Sequence, residues 1–200
     1  TYEGEWKADL RDGFGILITT TGEHYEGEWK GNLTHGKGEF DFYNGDRYEG
    51  GWQKDLMHGK GQMKFKNGDL YSGDLSGGLR QGFGQAVYSN GDVYDVDWKN
   101  DLKSGKGKFT HQNGNYFHGT YLKGKPDGVG TYSYGDIEKY EGEWVDGLFE
   151  GQGIYTFING SRYNGNWLKG LRHGQGKIVY YSNGSEYEGD WVNGFKNGYG

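Results

Sequence analysis

The feature that most constrains the fold of this chain is an aromatic residue that recurs every 23 residues. The series runs Tyr2, Tyr25, Tyr48, Tyr71, Tyr94, Phe117, Tyr140 and Tyr163, and its next member, Tyr187, follows after 24 residues. Four residues after each member stands a second large side chain, and all seven tryptophans of the chain occupy that position. A fixed period of this length is typical of a repeat protein, in which each unit packs against its neighbours.

Each repeat has the pattern of two short strands joined by turns. In residues 25–29, Tyr-Glu-Gly-Glu-Trp, alternation places Tyr, Gly and Trp on one face and both glutamates on the other. A Gly-x-Gly follows in every repeat, as at Gly36 and Gly38, and glycine leaves room for a ring against the backbone. The sequence therefore predicts an all-β fold: an elongated, rod-like and twisted single-layer antiparallel meander of hairpins. We expect one continuous array over residues 1–200, with eight complete repeats and the start of a ninth.

The two connections of the repeat give separate predictions. Phe42 and Tyr48 should share a face, which requires an odd number of loop residues around Asn44-Gly45 and favours a three-residue loop with a bulge. In the other connection a leucine recurs, and we expect its side chain to tuck under the loop. The position is occupied by Leu10, Leu33, Leu56, Leu79, Leu102, Leu148, Leu171 and Phe195, and Lys125 departs from it.

Several repeats depart from the common pattern. Leu75 replaces Trp, Val96 replaces Gly, and the sixth repeat combines Phe117 with Tyr121. The eighth repeat carries one extra residue near 180–181, which the pattern predicts to be a strand bulge. These departures are explained either by drift in a tolerant repeat or by a region at 71–139 that bends or binds, with a kink near 180.

Composition excludes several classes of function. The chain has no cysteine, so it forms neither a disulfide nor a cysteine-based zinc site. The net charge of −6 is a poor match for nucleic acid, and no nucleic-acid partner is expected. One basic stretch is the candidate lipid or anion site. It comprises Lys99, Lys103, Lys106, Lys108, Lys123 and Lys125.

No catalytic constellation stands out, so we predict that the chain is not an enzyme and needs no cofactor. The recurring Gly-x-Gly lacks the spacing and following helix of a dinucleotide site. His35 and His58 should lie about 10 Å apart in adjacent repeats, too far to share a zinc ion whose ligands stand about 2 Å away. A metal held between two chains by His35, His58 and His173 is the alternative to turn histidines with no ligand role.

The motifs Tyr-Glu-Gly-Glu-Trp, His-Gly-x-Gly and Asn-Gly-Asp, all within Tyr25–Arg47, resemble the MORN repeat (membrane occupation and recognition nexus). The resemblance covers essentially the whole chain, which is most similar to the MORN-only cytoskeletal scaffold proteins of apicomplexan and trypanosome protists. It implies a non-catalytic scaffold in the cytoplasm, associated with the cytoskeleton and reaching the membrane periphery. Catalytic domains of other members lie outside their repeats.

The resemblance also implies which part of the chain mediates self-association. Self-association through C-terminal repeats carries over to 187–200, so the expected partners are a second copy, joined end to end, and cytoskeletal or other scaffold proteins. The candidate dimer interface is Tyr187, Trp191, Val192, Phe195 and Tyr199. The expected structural core is Trp6, Trp29, Trp52, Trp98, Trp144, Trp167 and Trp191.

Two other functions remain open. The chain could be a phosphoinositide-binding membrane-recognition module, with its aromatic face meeting lipid headgroups and its basic stretch meeting phosphate. It could also be a regulatory array for a catalytic domain elsewhere. The acidic balance of the chain counts against lipid binding.

Overall fold

The computed structural model describes residues 1–200, and its regular elements are all β-strands. They form an antiparallel meander of hairpins, which confirms the predicted fold class. The strands are β1 (Tyr2–Lys7), β2 (Leu10–Ile18), β3 (His24–Lys30), β4 (Leu33–Asp41), β5 (Arg47–Gln53), β6 (Leu56–Lys64), β7 (Leu70–Ser76), β8 (Leu79–Val87), β9 (Val93–Lys99), β10 (Leu102–Thr110), β11 (Tyr116–Leu122), β12 (Lys125–Ser133), β13 (Lys139–Val145), β14 (Leu148–Thr156), β15 (Arg162–Leu168), β16 (Leu171–Val179), β17 (Glu186–Val192) and β18 (Phe195–Asn197).

The chain divides into two compact units, Thr1–Leu102 and Lys103–Gly200. Below, the first unit means strands β1 to β9 and the second means strands β10 to β18. The rod-like outline and the single continuous array stay predictions.

A row of paired glycines crosses the middle of each unit. In the first unit Gly27 pairs with Gly38, and Gly38 pairs in turn with Gly50. The Tyr25 ring lies over this row: a Cβ added at Gly38 would stand only 2.5 Å from its hydroxyl oxygen. The same hydroxyl donates to the Glu28 carbonyl at 2.9 Å. Glycine is therefore required here by the close approach of a ring, as the sequence predicted.

The rings pack along one side of the sheet, which we call the ring side. Tyr25 makes edge-to-face contacts with Trp29 at 5.1 Å and with Trp52 of the next repeat at 5.4 Å. The Trp29 indole nitrogen donates to the carbonyl of Gly15 in the preceding hairpin at 3.1 Å. These contacts bury Tyr25 and Trp29 almost completely. This repeat is thus stabilised by both of its neighbours.

The predicted tryptophan core holds for six of the seven residues. Trp6 is the exception, with 58% of its surface exposed. Every buried tryptophan donates its indole N–H to a glycine carbonyl of the preceding hairpin, as Trp52 does to Gly38. No hairpin of the described chain precedes β1, so Trp6 has no such cover.

The loop around Asn44-Gly45 has the predicted three residues. Phe42 N–H donates to the Asp46 carbonyl and Gly45 N–H to the Phe42 carbonyl, both at 2.9 Å. Gly45 has a φ of 92°, as the bulged loop requires. Asp46 also accepts from the backbone N–H of Lys66 at 2.9 Å, which joins this loop to the equivalent loop of the next repeat.

The prediction for the recurring leucine is wrong. The turn before Leu33 has two residues, Gly31 and Asn32, with φ of 56° and 71°, as in a type I′ turn. Leu33 pairs directly with Lys30 across this turn, whereas the next pair, Thr34 with Trp29, belongs to the ring side. Because side chains alternate, Leu33 and its equivalents lie on the opposite, polar side, where they are about half exposed.

The extra residue of the eighth repeat does not form the predicted strand bulge. Ile178 pairs with Tyr187 and Val179 with Glu186 in regular register. The residue instead lengthens the turn, in which Tyr180 N–H donates to the Ser185 carbonyl at 2.8 Å. Strand irregularities occur at the Gly-x-Gly segments, where the register shifts after Gly27 and its equivalents.

Val96 occupies a position of the glycine row and keeps the strand pairing of that row. It is fully buried and pairs with Gly84. Tyr94, two residues earlier, is only partly buried and makes an edge-to-face contact with Tyr88 at 5.7 Å. The fifth repeat therefore accommodates a valine in the glycine row together with a less buried ring at position 94.

Candidate functional site

A groove of about 630 Å³ crosses the polar side of the first unit. Its lining extends from β2 to β8 and combines glycine backbone with charged, amide and aromatic side chains. The lining residues are Phe14, Glu26, Gly27, Lys37, Gly38, Glu39, Glu49, Gly50, Lys60, Gly61, Gln62, Ser72, Gly73 and Phe83. The groove lies on the face opposite the packed rings, so an occupant would leave the core undisturbed.

Two phenylalanines mark the outermost strands of this lining. Phe14 and Phe83 are the middle residues of their Gly-x-Gly segments, and each is about half exposed. The same position holds Lys37 and Lys60 in the two repeats between them. The sequence analysis did not identify these phenylalanines. Their signal was an apolar ring at a position that strand alternation assigns to the polar side.

The charge of the groove leans acidic. Glu26, Glu39 and Glu49 face Lys37 and Lys60 across the lining. Lys60 is ion-paired to Asp74 at 2.8 Å, which reduces its positive potential, and Arg47 is ion-paired to Glu39, which neutralises one of the three glutamates. Glu26 and Glu49 then outnumber Lys37. A segment with basic residues between apolar ones is the chemical complement of this surface.

The hydroxyls of the buried tyrosines are buried and hydrogen-bonded to the backbone. Burial raises the pKa of Tyr48 and Tyr71 to about 12, and it also raises the pKa of Tyr25 and Tyr140. Each of these hydroxyls donates to a backbone carbonyl, as Tyr48 does to Gly51 at 2.9 Å. They lie on the ring side, away from the groove.

Apart from Lys99, the lysines of the predicted basic stretch lie on β10, on β12 and in the turn between β11 and β12. Lys106 and Lys108 pair with Thr120 and His118 in mid-strand, whereas Lys125 lies beside a turn and is ion-paired to Asp146 at 3.2 Å. The Lys108 ammonium also stands 4.8 Å from the centre of the Tyr116 ring. Of the other members, Lys103 lies on β10, Lys123 in a turn, and Lys99 at the end of β9 in the first unit.

The candidate dimer residues separate into two groups. Trp191 is buried and donates its indole N–H to the Gly176 carbonyl at 3.0 Å, so it belongs to the core. The Tyr187 hydroxyl is held by the Asp190 carbonyl at 3.0 Å. Val192, Phe195 and Tyr199 are exposed, with Phe195 at 74% and Tyr199 at 96%.

The three histidines of the alternative metal site lie on different strands. His35, His58 and His173 occupy the same place before the Gly-x-Gly in separate hairpins. Over residues 1–200 no group of three or more His, Cys, Asp or Glu side chains could hold an ion together. A metal shared between two chains stays a prediction.

Residues 1–200 contain no helix of the length and apolar character needed to cross a membrane. No curated protein matches the chain.

Solved structures share the fold at low sequence identity. One is the TCP10 domain of Danio rerio CPAP in complex with a peptide of Danio rerio STIL. It is 12% identical, with a TM-score of 0.53, and the match covers 95% of this chain and 84% of that one. Another is the SAS-4 (dCPAP) TCP domain of Drosophila melanogaster in complex with a proline-rich motif of Ana2 (dSTIL), also 12% identical, with a TM-score of 0.49 and 88% of each chain covered. At this identity the likeness shows the fold alone.

The family model for the MORN repeat matches nearly the whole chain in nine segments. These are residues 2–23, 25–47, 48–70, 71–93, 97–116, 117–136, 140–162, 163–185 and 187–200. The fifth match begins only after Val96, the residue that replaces the row glycine. With the glycine row, the ring packing and the hairpin meander in place, this chain belongs to the MORN-repeat family.

Proposed function

We propose that this chain is a non-catalytic scaffold that binds other proteins on its polar side. The observation that carries the proposal is the groove of the first unit, which has an exposed phenylalanine on each outermost strand of its lining. The rings hold the fold from the opposite side. A partner can therefore be gained or lost without any change in the core.

The groove fits an extended segment better than a compact one. Phe14 lies on β2 and Phe83 on β8, six strand steps apart. At about 4.8 Å for each step this is roughly 29 Å, which an extended chain of about nine residues spans. We expect apolar residues at both ends of the segment and basic residues between them. The TCP10 domain of Danio rerio CPAP, whose structure holds a bound peptide, adds support by analogy of fold.

The test uses a labelled peptide of about ten residues with an aromatic residue at each end and three lysines between. Fluorescence anisotropy should detect binding to the wild-type chain. Phe83→Ser should weaken it about tenfold, because a buried ring contact is lost. Val129→Ser is the matched control, since Val129 holds the same Gly-x-Gly position outside the groove and is 69% exposed. Equal effects of both variants, or no binding by the wild type, would overturn the groove.

The finer role we propose is end-to-end self-association through the C-terminal repeats, which would organise a cytoskeletal or membrane-associated assembly in the cytoplasm. Its support is the exposure of Phe195 and Tyr199, two large rings on the last hairpin. Small-angle X-ray scattering on an absolute scale should give a dimer mass for the wild type and a monomer mass for Phe195→Ser with Tyr199→Ser. A dimer that survives both changes, or a wild-type monomer, would refute this role.

Phosphoinositide binding has weaker support, because the rings are packed and the lysines are spread over strands and turns. Sedimentation with vesicles that contain a phosphoinositide, against vesicles of neutral lipid, tests it. Binding that depends on Lys106 and Lys108 would favour the lipid module over the protein scaffold.

A further inference from the structure

Each two-residue turn is flanked by two paired residues whose side chains lie on the polar side, at one edge of the sheet. The residue types in these pairs differ between the two units. We call these the turn-edge pairs. In the first unit each pair joins a leucine to a polar residue: Lys7–Leu10, Lys30–Leu33, Gln53–Leu56 and Ser76–Leu79. In the second unit they are Leu122–Lys125, Val145–Leu148, Leu168–Leu171 and Val192–Phe195.

The second unit therefore exposes a row of apolar side chains with few polar interruptions. We call this row the apolar strip, and its members are between 39% and 74% exposed. They are Leu122, Val145, Leu148, Leu168, Leu171, Val192 and Phe195. Isolated exposed leucines need no explanation, but a contiguous apolar patch marks a docking surface.

We infer that the apolar strip is a docking site for an amphipathic α-helix of another protein. The strip runs across the strands, which are about 4.8 Å apart, and the pitch of an α-helix is about 5.4 Å. Each helical turn would thus lie against about one strand. An extended peptide would not match, because it presents side chains to one face only every 6.6 Å or so. From Leu122 on β11 to Phe195 on β18 the strip crosses seven strand steps, roughly 34 Å or about 22 helical residues.

The charges that border the strip define the helix further. On the outer border the turns carry Lys123 and Lys169 with Asp146 between them, and all three are exposed. The inner border is formed by the residues two positions before the strip residue on the first strand of each hairpin. They are Thr120, Glu143, Asn166 and Asp190. The helix should therefore carry basic residues on the flank that faces the strands, and acidic residues opposite Lys123 and Lys169 on the flank that faces the turns.

A second copy of this chain is the alternative occupant of the strip, and the test below distinguishes it from a helix. In the parallel orientation of two strips, Asp146 of one copy would meet Glu143 of the other, which disfavours that pairing.

The strip and the groove lie on different units and share no residue, so these two proposals stand or fail separately. The strip shares Phe195 with the proposed self-association surface, and the deciding variant below leaves Phe195 unchanged. The probe for the strip is a labelled synthetic helix of about 22 residues with leucine on each turn, glutamate along one flank and lysine along the other. Binding is measured by fluorescence anisotropy at physiological salt. A peptide with the two charged flanks exchanged serves as the charge control, and it should bind several-fold more weakly.

The deciding variant is Leu148→Ser with Leu171→Ser. Its matched control is Leu33→Ser with Leu56→Ser, which makes the same change at the equivalent positions of the first unit. We expect the first pair to weaken binding about tenfold and the second by less than about twofold, with both folds verified by thermal melting. Equal effects of the two pairs, or no binding by the wild type, would overturn the inference. So would a dimer that is lost in the deciding variant, because a second copy would then occupy the strip.

Discussion

The two units of the chain are alike on the ring side and different at the turn edge. Tyr25 meets Trp52 of the next repeat at 5.4 Å, and Tyr140 meets Trp167 at 5.3 Å, in the same edge-to-face geometry. At the turn edge, by contrast, Lys30 stands beside Leu33 where Val145 stands beside Leu148. Positions that bind neighbouring repeats are fixed by packing, whereas positions that face water are free to specify a partner.

The loss of a buried tryptophan should have the largest effect and should be equal in the two units. Trp52→Ala and Trp167→Ala should each lower the free energy of unfolding by about 3–4 kcal/mol, measured by chemical denaturation. Trp6→Ala should cost less than about 1 kcal/mol, because Trp6 is 58% exposed. A Trp6 variant as costly as the other two would contradict the role assigned to ring packing.

Substitutions in the glycine row should come next. Gly142→Val should cost about 2–3 kcal/mol, because an added Cβ would stand 2.5 Å from the Tyr140 hydroxyl oxygen. Val96→Gly should also destabilise, by about 1–2 kcal/mol, although it restores the common residue, because Val96 is fully buried. Thermal or chemical unfolding checks both, and a stabilised Val96→Gly variant would show that the fifth repeat has not repacked around valine.

High pH should weaken both units in the same way. An unfolded tyrosine has a pKa of about 10, and burial raises that of Tyr48 and Tyr163 to about 12. The folded chain thus favours the neutral phenol. This contribution is complete below pH 10 and is lost as the pH rises through 12.

The expected result is a fall in stability between about pH 10 and 12 that becomes shallower in Tyr48→Phe and Tyr163→Phe. Unfolding followed at several alkaline pH values measures the slope. Phe117, which already lacks a hydroxyl, shows that the ring position tolerates phenylalanine. An unchanged slope in both variants would mean that these phenols ionise as freely in the folded chain as in the unfolded one.

Changes at the turn edge should have the smallest effect on stability. Leu33→Ser and Leu148→Ser should each alter the free energy of unfolding by no more than about 0.5 kcal/mol, because both side chains are substantially exposed. Denaturant midpoints compare them directly. A large loss for Leu148→Ser alone would assign the apolar strip to the packing of the second unit rather than to a partner.

The sequence predicted the ring side well because that side depends on local rules. Alternation in residues 25–29 and the 23-residue step suffice to place Tyr, Gly and Trp on one face. The direction of Leu33 was missed because it depends on the turn: two turn residues make Leu33 pair with Lys30 on the polar side. The same applies near 180, where the extra residue could enter either the turn or the strand.

The candidate sites were harder to predict. The groove combines residues from four repeats, so its lining appears only when the strands are placed side by side. Trp191 was predicted both for the core and for the interface, and the sequence did not decide between them, because its contact with the Gly176 carbonyl of the preceding hairpin appears only in three dimensions. The apolar strip required the strand register, which sets Val145 beside Leu148.

The central claim is that the ring side holds the fold and the polar side is left for partners. Hydrogen exchange of the tryptophan indole protons, followed by NMR in the free protein, tests it most directly. Six tryptophans donate to glycine carbonyls within the sheet, as Trp29 does at 3.1 Å, and Trp6 is exposed. We predict six slowly exchanging indole protons and one fast one. Fast exchange at several of the six would mean that the ring side is open to solvent, which would contradict the claim.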